Sequence, residues 1–236
     1  MRKLRVHQSW EKILQEAYAQ LSPEYRRFLE EENGYFPAYP DYLNAFVTLP
    51  KERVKYILFG QDPYPRKESA GGYAFIDKKV THLFSPTGLS KEVNRATSLR
   101  NFMKMLFVAR GSLTTTLTQD AIAKIDKSPL IDSIDALRLH FEREGVLLLN
   151  TALVFTKKED SRYHIRQWQP FMASLLGALE GEGIVLILFG THAKALKKAL
   201  PLEGFESLEM PHPYNQSFIF DKNALNCFTP MNLLEK

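Results

Sequence analysis

The stretch that decides the fold reads Val54-Lys55-Tyr56-Ile57-Leu58-Phe59-Gly60-Gln61-Asp62-Pro63-Tyr64, an apolar run that leads directly into a polar turn. A run of this kind, without polar alternation, is typical of a parallel strand covered on both faces. Open α/β sheets place their ligand sites at the carboxyl ends of such strands. The stretch therefore predicts a buried strand over residues 54–60 with a polar site at its end.

Further strands and helices alternate along the rest of the chain. Three more apolar segments predict strands, the last of them weaker than the others: residues 145–150, 183–190 and 207–210. Helical spacing of apolar residues predicts four helices: residues 98–108, 132–143, 170–181 and 191–200. This alternation predicts an α/β fold with three layers (αβα) around a central four-stranded parallel twisted sheet. Residues 81–97 lack a clean period and are predicted to form a loop.

The N-terminal region predicts helices that pack on this sheet. Ser22 is a capping residue before Pro23, which favours a helix over residues 23–32 that stops at Asn33. A chain of 236 residues is within the range of one domain. We therefore expect one domain over residues 1–236, with N-terminal helices at about residues 1–40 packed on the core.

Composition narrows the class of protein. The formal net charge of +4 fits a polyanionic partner without requiring one. A single cysteine, Cys227, excludes an internal disulfide and any metal site built from several thiolates. The longest apolar runs fall far short of the roughly 20 residues that span a membrane. We expect a monomeric cytoplasmic protein with no metal, no cofactor and no membrane association.

Two polar residues at predicted strand ends are candidates for chemistry. Asp62, fixed by Pro63, is suited to hold or activate a water molecule, although Asp-Pro is also a common turn former. Asn150 ends the second strand, and its amide offers both a donor and an acceptor for the edge of a pyrimidine. Its alternative role is to cap the turn that follows.

Two further residues could complete a site. Phe75 follows Gly71-Gly72-Tyr73-Ala74, where glycines permit close backbone approach and the ring offers a stacking face, unless it is a core residue. His212, before Pro213, ends the last strand and could donate a proton or a hydrogen bond at neutral pH. A buried structural histidine is the alternative.

Taken in order, these motifs resemble the principal uracil-DNA glycosylase family. The resemblance spans roughly residues 42–218. The matching segments are Leu43-Asn44-Ala45-Phe46, Gly60-Gln61-Asp62-Pro63-Tyr64, Gly72 to Phe75, Ser98-Leu99-Arg100-Asn101, the strand ending at Asn150, Trp168, Gly190-Thr191-His192-Ala193 and His212-Pro213. Single motifs are weak signals, but their order at sensible separations is specific.

The resemblance implies a reaction and a set of roles. The enzyme would flip uracil out of DNA and hydrolyse its N-glycosidic bond, leaving an abasic site without lyase activity. The implied catalytic residues are Asp62, which positions the attacking water, and His212, which stabilises the anionic uracil oxygen. The implied substrate-binding residues are Gln61 through its backbone, Tyr64 against the methyl group of thymine, Phe75 by stacking and Asn150 at the polar edge of uracil. The implied DNA-binding residues are Ser98, Ser161, His192, Tyr214, Gln216 and Ser217.

The sequence departs from the family pattern outside the pocket. Pro65 stands where the family usually has histidine, and Gln216 stands where an apolar wedge usually enters the DNA helix. Unless Tyr214 or Phe218 replaces the wedge, single-stranded DNA is the expected preferred substrate. Two alternatives stay open: a non-catalytic member of the fold that binds DNA or protein, and a glycosylase for another damaged base. A phosphate-binding enzyme is disfavoured because no P-loop or Gly-x-Gly-x-x-Gly motif is present.

Overall fold

The computed structural model describes residues 4–31 and 34–236. The central sheet has four strands in the order β4-β1-β5-β6. Its strands, together with the two short strands of a separate hairpin, are β1 (Tyr56–Gly60), β2 (Phe84–Ser85), β3 (Gly88–Leu89), β4 (Val146–Asn150), β5 (Val185–Phe189) and β6 (Glu206–Met210). β1 pairs in parallel with both β4 and β5. The predicted three-layer α/β fold with a four-stranded parallel sheet is confirmed.

Helices make up the outer layers. The α-helices of the described chain are α1 (Glu11–Ala19), α2 (Pro23–Glu30), α3 (Lys91–Arg95), α4 (Thr97–Ala109), α5 (Gln119–Ala123), α6 (Ile134–Arg143), α7 (Ser161–Gly177), α8 (Gly190–Ala199) and α9 (Lys222–Phe228). Short 3₁₀ helices lie at Gln8–Trp10, Asp41–Phe46, Lys51–Arg53, Lys158–Asp160 and Gln216–Phe220. None of the helices within residues 4–31 and 34–236 is long and apolar enough to cross a membrane. The cytoplasmic location and the monomeric state stay predictions.

Two element predictions were wrong in detail. α7 begins at Ser161, nine residues before the predicted start, and contains Pro170 in its interior. Pro170 and Arg166 are both exposed, so the proline lies on the solvent side of the helix, where an interior proline is more easily tolerated. Residues 81–97, predicted as a loop, contain the β2–β3 hairpin and α3. Strands of two residues are too short to show a period.

The described residues divide into two compact units. The first unit contains the residues up to Asp77, Gly145–Leu188 and His192–Leu208. The second contains Lys78–Glu144, Phe189–Thr191 and Glu209–Lys236. The single-domain organisation stays a prediction, and the predicted helix stop at Asn33 lies outside the described residues.

The core of the first unit lies around β1, β4 and α7. α1 packs on α7 and buries Leu14 and Ala17 completely. The Trp10 indole, also fully buried, donates a hydrogen bond of 2.8 Å to the Leu49 carbonyl. The N-terminal segment is thus tied to the unit that carries β1 and its polar turn.

An aromatic cluster forms the core of the second unit. The Phe102 ring of α4 contacts Phe141, Phe218 and Phe228, with ring centroids 5.8, 6.0 and 5.0 Å apart. All four rings are almost completely buried. This packing fixes α4 against the 3₁₀ helix Gln216–Phe220, which follows β6 in the chain.

Candidate active site

The loop after β1 is held by its backbone. The amides of Thr151 and Ala152, which follow β4, donate to the carbonyls of Gly60 and Gln61 over 2.9 and 3.0 Å. Pro63 is buried and leaves Asp62 half-buried above the strand ends. The backbone that leads into Asp62 is therefore anchored by hydrogen bonds, and the residue that follows it is packed.

Ser161 orients the Asp62 carboxyl group. Its hydroxyl, at the start of α7, donates a short hydrogen bond to Oδ2 of Asp62. Burial raises the pKa of Asp62, and the Ser161 hydrogen bond partly offsets that rise. Oδ1 accepts no hydrogen bond within the described part of the chain, which leaves it available to a water molecule. Ser161, predicted from the family pattern as a DNA contact, is placed here as a positioning residue for Asp62.

Asn150 presents a free amide at the neighbouring strand end. The residue is 5% exposed and pairs in register with Gly60. A Cβ atom at position 60 would collide with Oδ1 of Asn150, so glycine is required to make room for the amide. Within residues 4–31 and 34–236, no hydrogen bond to this amide is found. A buried amide without a protein partner is suited to bind a polar ligand edge.

Tyr64 and Phe75 form a connected pair in the first unit. The Tyr64 hydroxyl donates to the Phe75 carbonyl over 3.1 Å, and burial raises the pKa of this phenol, which keeps it neutral. Phe75 has a φ of 68°, a left-handed conformation that costs a bulky residue on the order of 1–3 kcal/mol. The Ala74 amide, bonded to the Leu148 carbonyl over 3.1 Å, helps to hold it. Phe75 is half-buried, so part of its ring is exposed to solvent.

Asn44 makes a structural contact near the site that the sequence did not reveal. Its side-chain amide donates a hydrogen bond of 3.0 Å to the Gly71 carbonyl and so anchors the segment that leads to Phe75. The signal was present, since Leu43-Asn44-Ala45-Phe46 is one of the motifs that resemble the family, but the sequence does not show what the asparagine contacts.

His192 supports the same loop from α8. Thr151 Oγ1 donates to the Gly60 carbonyl over 3.0 Å and lies 3.1 Å from Nε2 of His192. Since the hydroxyl proton is used at Gly60, the histidine must be the donor in the second bond.

Gln61, predicted to contact the base, is exposed, and its side-chain amide nitrogen lies 3.4 Å from the Ser161 hydroxyl. The first unit thus brings seven predicted site residues to the ends of β1 and β4 and the elements that adjoin them: Gln61, Asp62, Tyr64, Phe75, Asn150, Ser161 and His192.

His212 lies in the second unit, in the loop after β6. The Tyr214 amide donates 3.0 Å to its Nδ1, so Nδ1 is an acceptor and the proton of the neutral ring lies on Nε2. Desolvation lowers the pKa of His212, which favours this neutral form. The Phe189 ring packs edge-on against the His212 ring, with the ring centroids 6.0 Å apart. Gly190 has a φ of 56°, and a Cβ atom added at this position would lie 3.0 Å from the Cβ atom of His212. The histidine is prepared as an Nε2–H donor.

Asn101 fixes the backbone of this loop. Its buried amide donates to the carbonyls of Pro213 and Tyr214 over 2.8 and 3.2 Å. Sequence reasoning placed Asn101 in a matching motif but gave it no role. A separation of 112 residues along the chain explains why the interaction was missed.

Of the remaining predicted DNA contacts, Tyr214, Gln216 and Ser217 lie in or directly after the same loop, and Ser98 lies in α4. Gln216 and Ser217 are exposed, Ser98 is half-buried in the first turn of α4, and Tyr214 is 66% exposed. Phe218, which was considered as a replacement wedge, is completely buried, so this alternative is wrong. Of the two candidate wedge residues, Tyr214 and Phe218, only Tyr214 is exposed to a ligand.

No group of three or more metal-ligating side chains occurs within residues 4–31 and 34–236. The groups described above are a carboxylate and an imidazole that accept protein hydrogen bonds, and a buried amide that has no hydrogen-bond partner in the described part of the chain. The predicted independence from metals and cofactors stays a prediction.

Comparison with known proteins assigns the chain to a family. The sequence profile of the uracil DNA glycosylase superfamily matches residues 46–233. That match covers most of the chain, and the protein therefore belongs to the uracil DNA glycosylase superfamily.

Individual relatives agree with this assignment. The wild-type UNG protein from Nitratifractor salsuginis is 52% identical, and its crystal structure matches with a TM-score of 0.96 over 98% of this chain and 94% of that chain. The uracil-DNA glycosylase of Anoxybacillus flavithermus is 31% identical over 86% of this chain and 80% of its own length. That of Porphyromonas gingivalis strain W83 is 29% identical over 90% of this chain and 86% of its own length.

Proposed function

We propose that this protein hydrolyses the N-glycosidic bond of uracil in DNA, releasing free uracil and leaving an abasic site. The observation that carries the proposal is the presence of two polar groups of matching function at adjacent strand ends. Asn150, the last residue of β4, offers a buried amide without a hydrogen-bond partner among the described residues, and Asp62 offers a carboxylate fixed by Ser161 after β1. A base-reading amide next to a water-holding carboxylate is the combination that base excision requires.

The proposed mechanism divides the work among these residues. Uracil, flipped out of the DNA, stacks on Phe75 and is read at its polar edge by Asn150, while Tyr64 closes the pocket against a thymine methyl group. As the bond between C1′ of the sugar and N1 of uracil breaks, its electron pair leaves with the base. The carboxylate of Asp62 stabilises the cationic sugar and orients water through Oδ1.

In this proposal His212 has the role that the resemblance to the family implies, which is to act on the leaving group. The Nε2–H of its neutral ring donates a hydrogen bond to the uracil oxygen that becomes negative, which lowers the energy of the departing anion. Water then forms the new bond to C1′ and loses its proton, while the uracil anion is protonated on release. The nucleophile is water, so we expect no strand cleavage by a lyase step.

An excision assay tests the proposed function. The protein is incubated with single- and double-stranded oligonucleotides that contain one uracil, and free uracil is measured by mass spectrometry. We expect uracil release by the wild type and a large loss in Asp62→Asn. No release from either substrate would favour a non-catalytic member of the fold. Release of a different base from a panel of damaged oligonucleotides would favour a glycosylase for another damaged base.

We also propose that single-stranded DNA is the preferred substrate. Gln216 is exposed and polar at the wedge position, and a polar side chain gains little from insertion into the base stack. Gln216→Leu should therefore raise kcat/KM on duplex substrate more than on single strands, and Gln216→Asn serves as the polar control. An unchanged ratio in Gln216→Leu would contradict the assignment of this residue.

A further inference from the structure

A groove of about 660 Å³ opens on the second unit, outside the residues assigned to base chemistry. Its size is within the range of small-molecule sites. One side is formed by α4, through Arg100, Asn101 and Lys104, and the other by the 3₁₀ helix that contains Gln216, Ser217 and Phe220.

The charge of the groove selects an anionic ligand. None of the residues that line it is acidic. Arg100 uses one nitrogen to donate 3.1 Å to the Asn94 carbonyl and keeps its other donors available. Lys104 has no ion pair or hydrogen bond within the described residues, and burial together with the neighbouring Arg100 lowers its pKa. A phosphate bound between the two cations would relieve this repulsion.

An aromatic side chain adds a second kind of contact. Phe220 lines the groove and is 51% exposed, an unusual position for a large apolar ring. Cations that follow a backbone, combined with an exposed ring on which a base can stack, are typical of surfaces that bind unpaired nucleic acid irrespective of sequence.

The groove is continuous with the loop that carries His212. Asn101 lines the groove and also donates to the carbonyls of Pro213 and Tyr214. Gln216 and Ser217 line the groove and also form the end of that loop. A strand that passes along the His212 loop therefore enters the groove next.

We propose that this groove binds unpaired nucleotides that flank the uracil on the same DNA strand, with phosphate between Arg100 and Lys104 and a base on Phe220. The proposal rests on the proposed function and deepens it. Of the groove residues, Arg100 and Asn101 belong to a motif that resembles the family, whereas Lys104 and Phe220 do not. The proposal also gives the preference for single strands a physical basis.

Binding of uracil-free DNA tests the groove separately from catalysis. The probe is a fluorescent single-stranded 20-nucleotide oligomer without uracil, alone or annealed to its complement, and the readout is the Kd from anisotropy at several salt concentrations. We expect Lys104→Gln and Arg100→Gln to weaken single-strand binding, and the slope of log K against log salt to fall by about 0.7 for each phosphate that is no longer neutralised. Phe220→Ala should weaken binding by at least about fivefold. Duplex binding should change less in all three.

Lys124→Gln is the matched control, because it removes one positive charge from an exposed residue of the same unit. Groove variants that bind single strands as Lys124→Gln does would overturn the proposal, as would equal losses on single strands and duplex. The melting temperature of each variant shows whether it is folded. Arg100→Gln and Lys104→Gln test the groove independently, so misfolding of one variant leaves the other as a test. A wild-type protein that binds the oligomer through the groove but releases no uracil would contradict the proposed function and leave the groove assignment intact.

Excision kinetics then measure the contribution of the groove to turnover. Substrates with uracil near either end of a single strand remove the flanking nucleotides from one side at a time. For Lys104→Gln we expect a raised KM and an unchanged kcat on long substrates, and no effect when the flank that reaches the groove is missing. A KM effect that does not depend on either flank would contradict the assigned interaction.

Discussion

The loop Gly60-Gln61-Asp62-Pro63-Tyr64 and the loop His212 to Ser217 are built in different ways. In the first, the reactive side chain is half-buried and bonded to Ser161, and the backbone is tied to residues after β4. In the second, the backbone is tied down by Asn101, but Tyr214, Gln216 and Ser217 lie exposed.

This difference parallels the match to the family pattern. The first loop follows the pattern as far as Tyr64, where a change would disturb packed neighbours. The second loop follows it at His212-Pro213, which the protein holds, and departs from it at the exposed positions that follow. The matching positions are those whose side chains the protein holds by hydrogen bonds, with Asp62 half-buried and His212 exposed, whereas the exposed positions that depart from the pattern are free to change. Four substitutions test this comparison, in order of decreasing effect.

Asp62→Asn should have the largest effect. The amide is nearly isosteric, but it lacks the negative charge that stabilises the sugar cation and orients water. We expect kcat for uracil release to fall by about 10²–10⁴-fold in single-turnover assays. Asp120→Asn, which removes one charge from an exposed residue of α5, is the control and should retain activity. Near-normal turnover by Asp62→Asn would remove the first loop from the chemistry.

His212→Ala should follow closely. Loss of the Nε2–H removes one donor to the developing uracil anion, and donors of this kind are worth about 10²–10³-fold in kcat. The control is His82→Ala, because the His82 side chain is 70% exposed and pairs with Asp132 on the surface. If His212→Ala altered KM and left kcat unchanged, the histidine would serve binding and the proposed division of roles would fail.

Much of this arrangement could be predicted from the sequence. Residues 54–60, 145–150 and 183–190 were predicted as strands within two residues of the observed bounds, since strands buried on both faces leave continuous apolar runs. Asp62 and Asn150 were found because parallel strands carry their ligands at their carboxyl ends.

The contacts that orient these residues could not be predicted in the same way. Ser161 is 99 residues from Asp62 along the chain, and no local pattern shows that its hydroxyl is used there. The same holds for Asn101 and the carbonyls of Pro213 and Tyr214. The early start of α7 was missed because a proline usually marks the beginning of a helix, whereas Pro170 lies in the interior of α7 at an exposed position.

Asn101→Ala tests whether the backbone of the second loop needs its anchor. Two carbonyls would lose their donor, at a cost of about 1–3 kcal/mol, and the melting temperature should fall by about 2–12 °C. A less restrained His212 should also lower kcat by about tenfold. Asn223→Ala is the matched control, because its amide donates to one carbonyl, that of Glu209, at an exposed site. Loss of stability without loss of kcat would show that Asn101 supports the fold and not the position of His212.

Ser161→Ala should have the smallest effect, and its signature is a pH profile. Asp62 acts in its ionised form, so kcat declines as the pH falls through the pKa of this carboxyl group. Burial raises that pKa and the Ser161 hydroxyl lowers it, so removal of the hydroxyl raises it further and moves the acid-side decline of kcat to higher pH. At alkaline pH, where Asp62 is ionised in both proteins, kcat should be nearly the same. Ser174→Ala, in the same helix, should keep the wild-type profile. A Ser161→Ala profile that falls in parallel with the wild type at every pH would show that the serine contributes to the reaction by some route other than the Asp62 carboxylate.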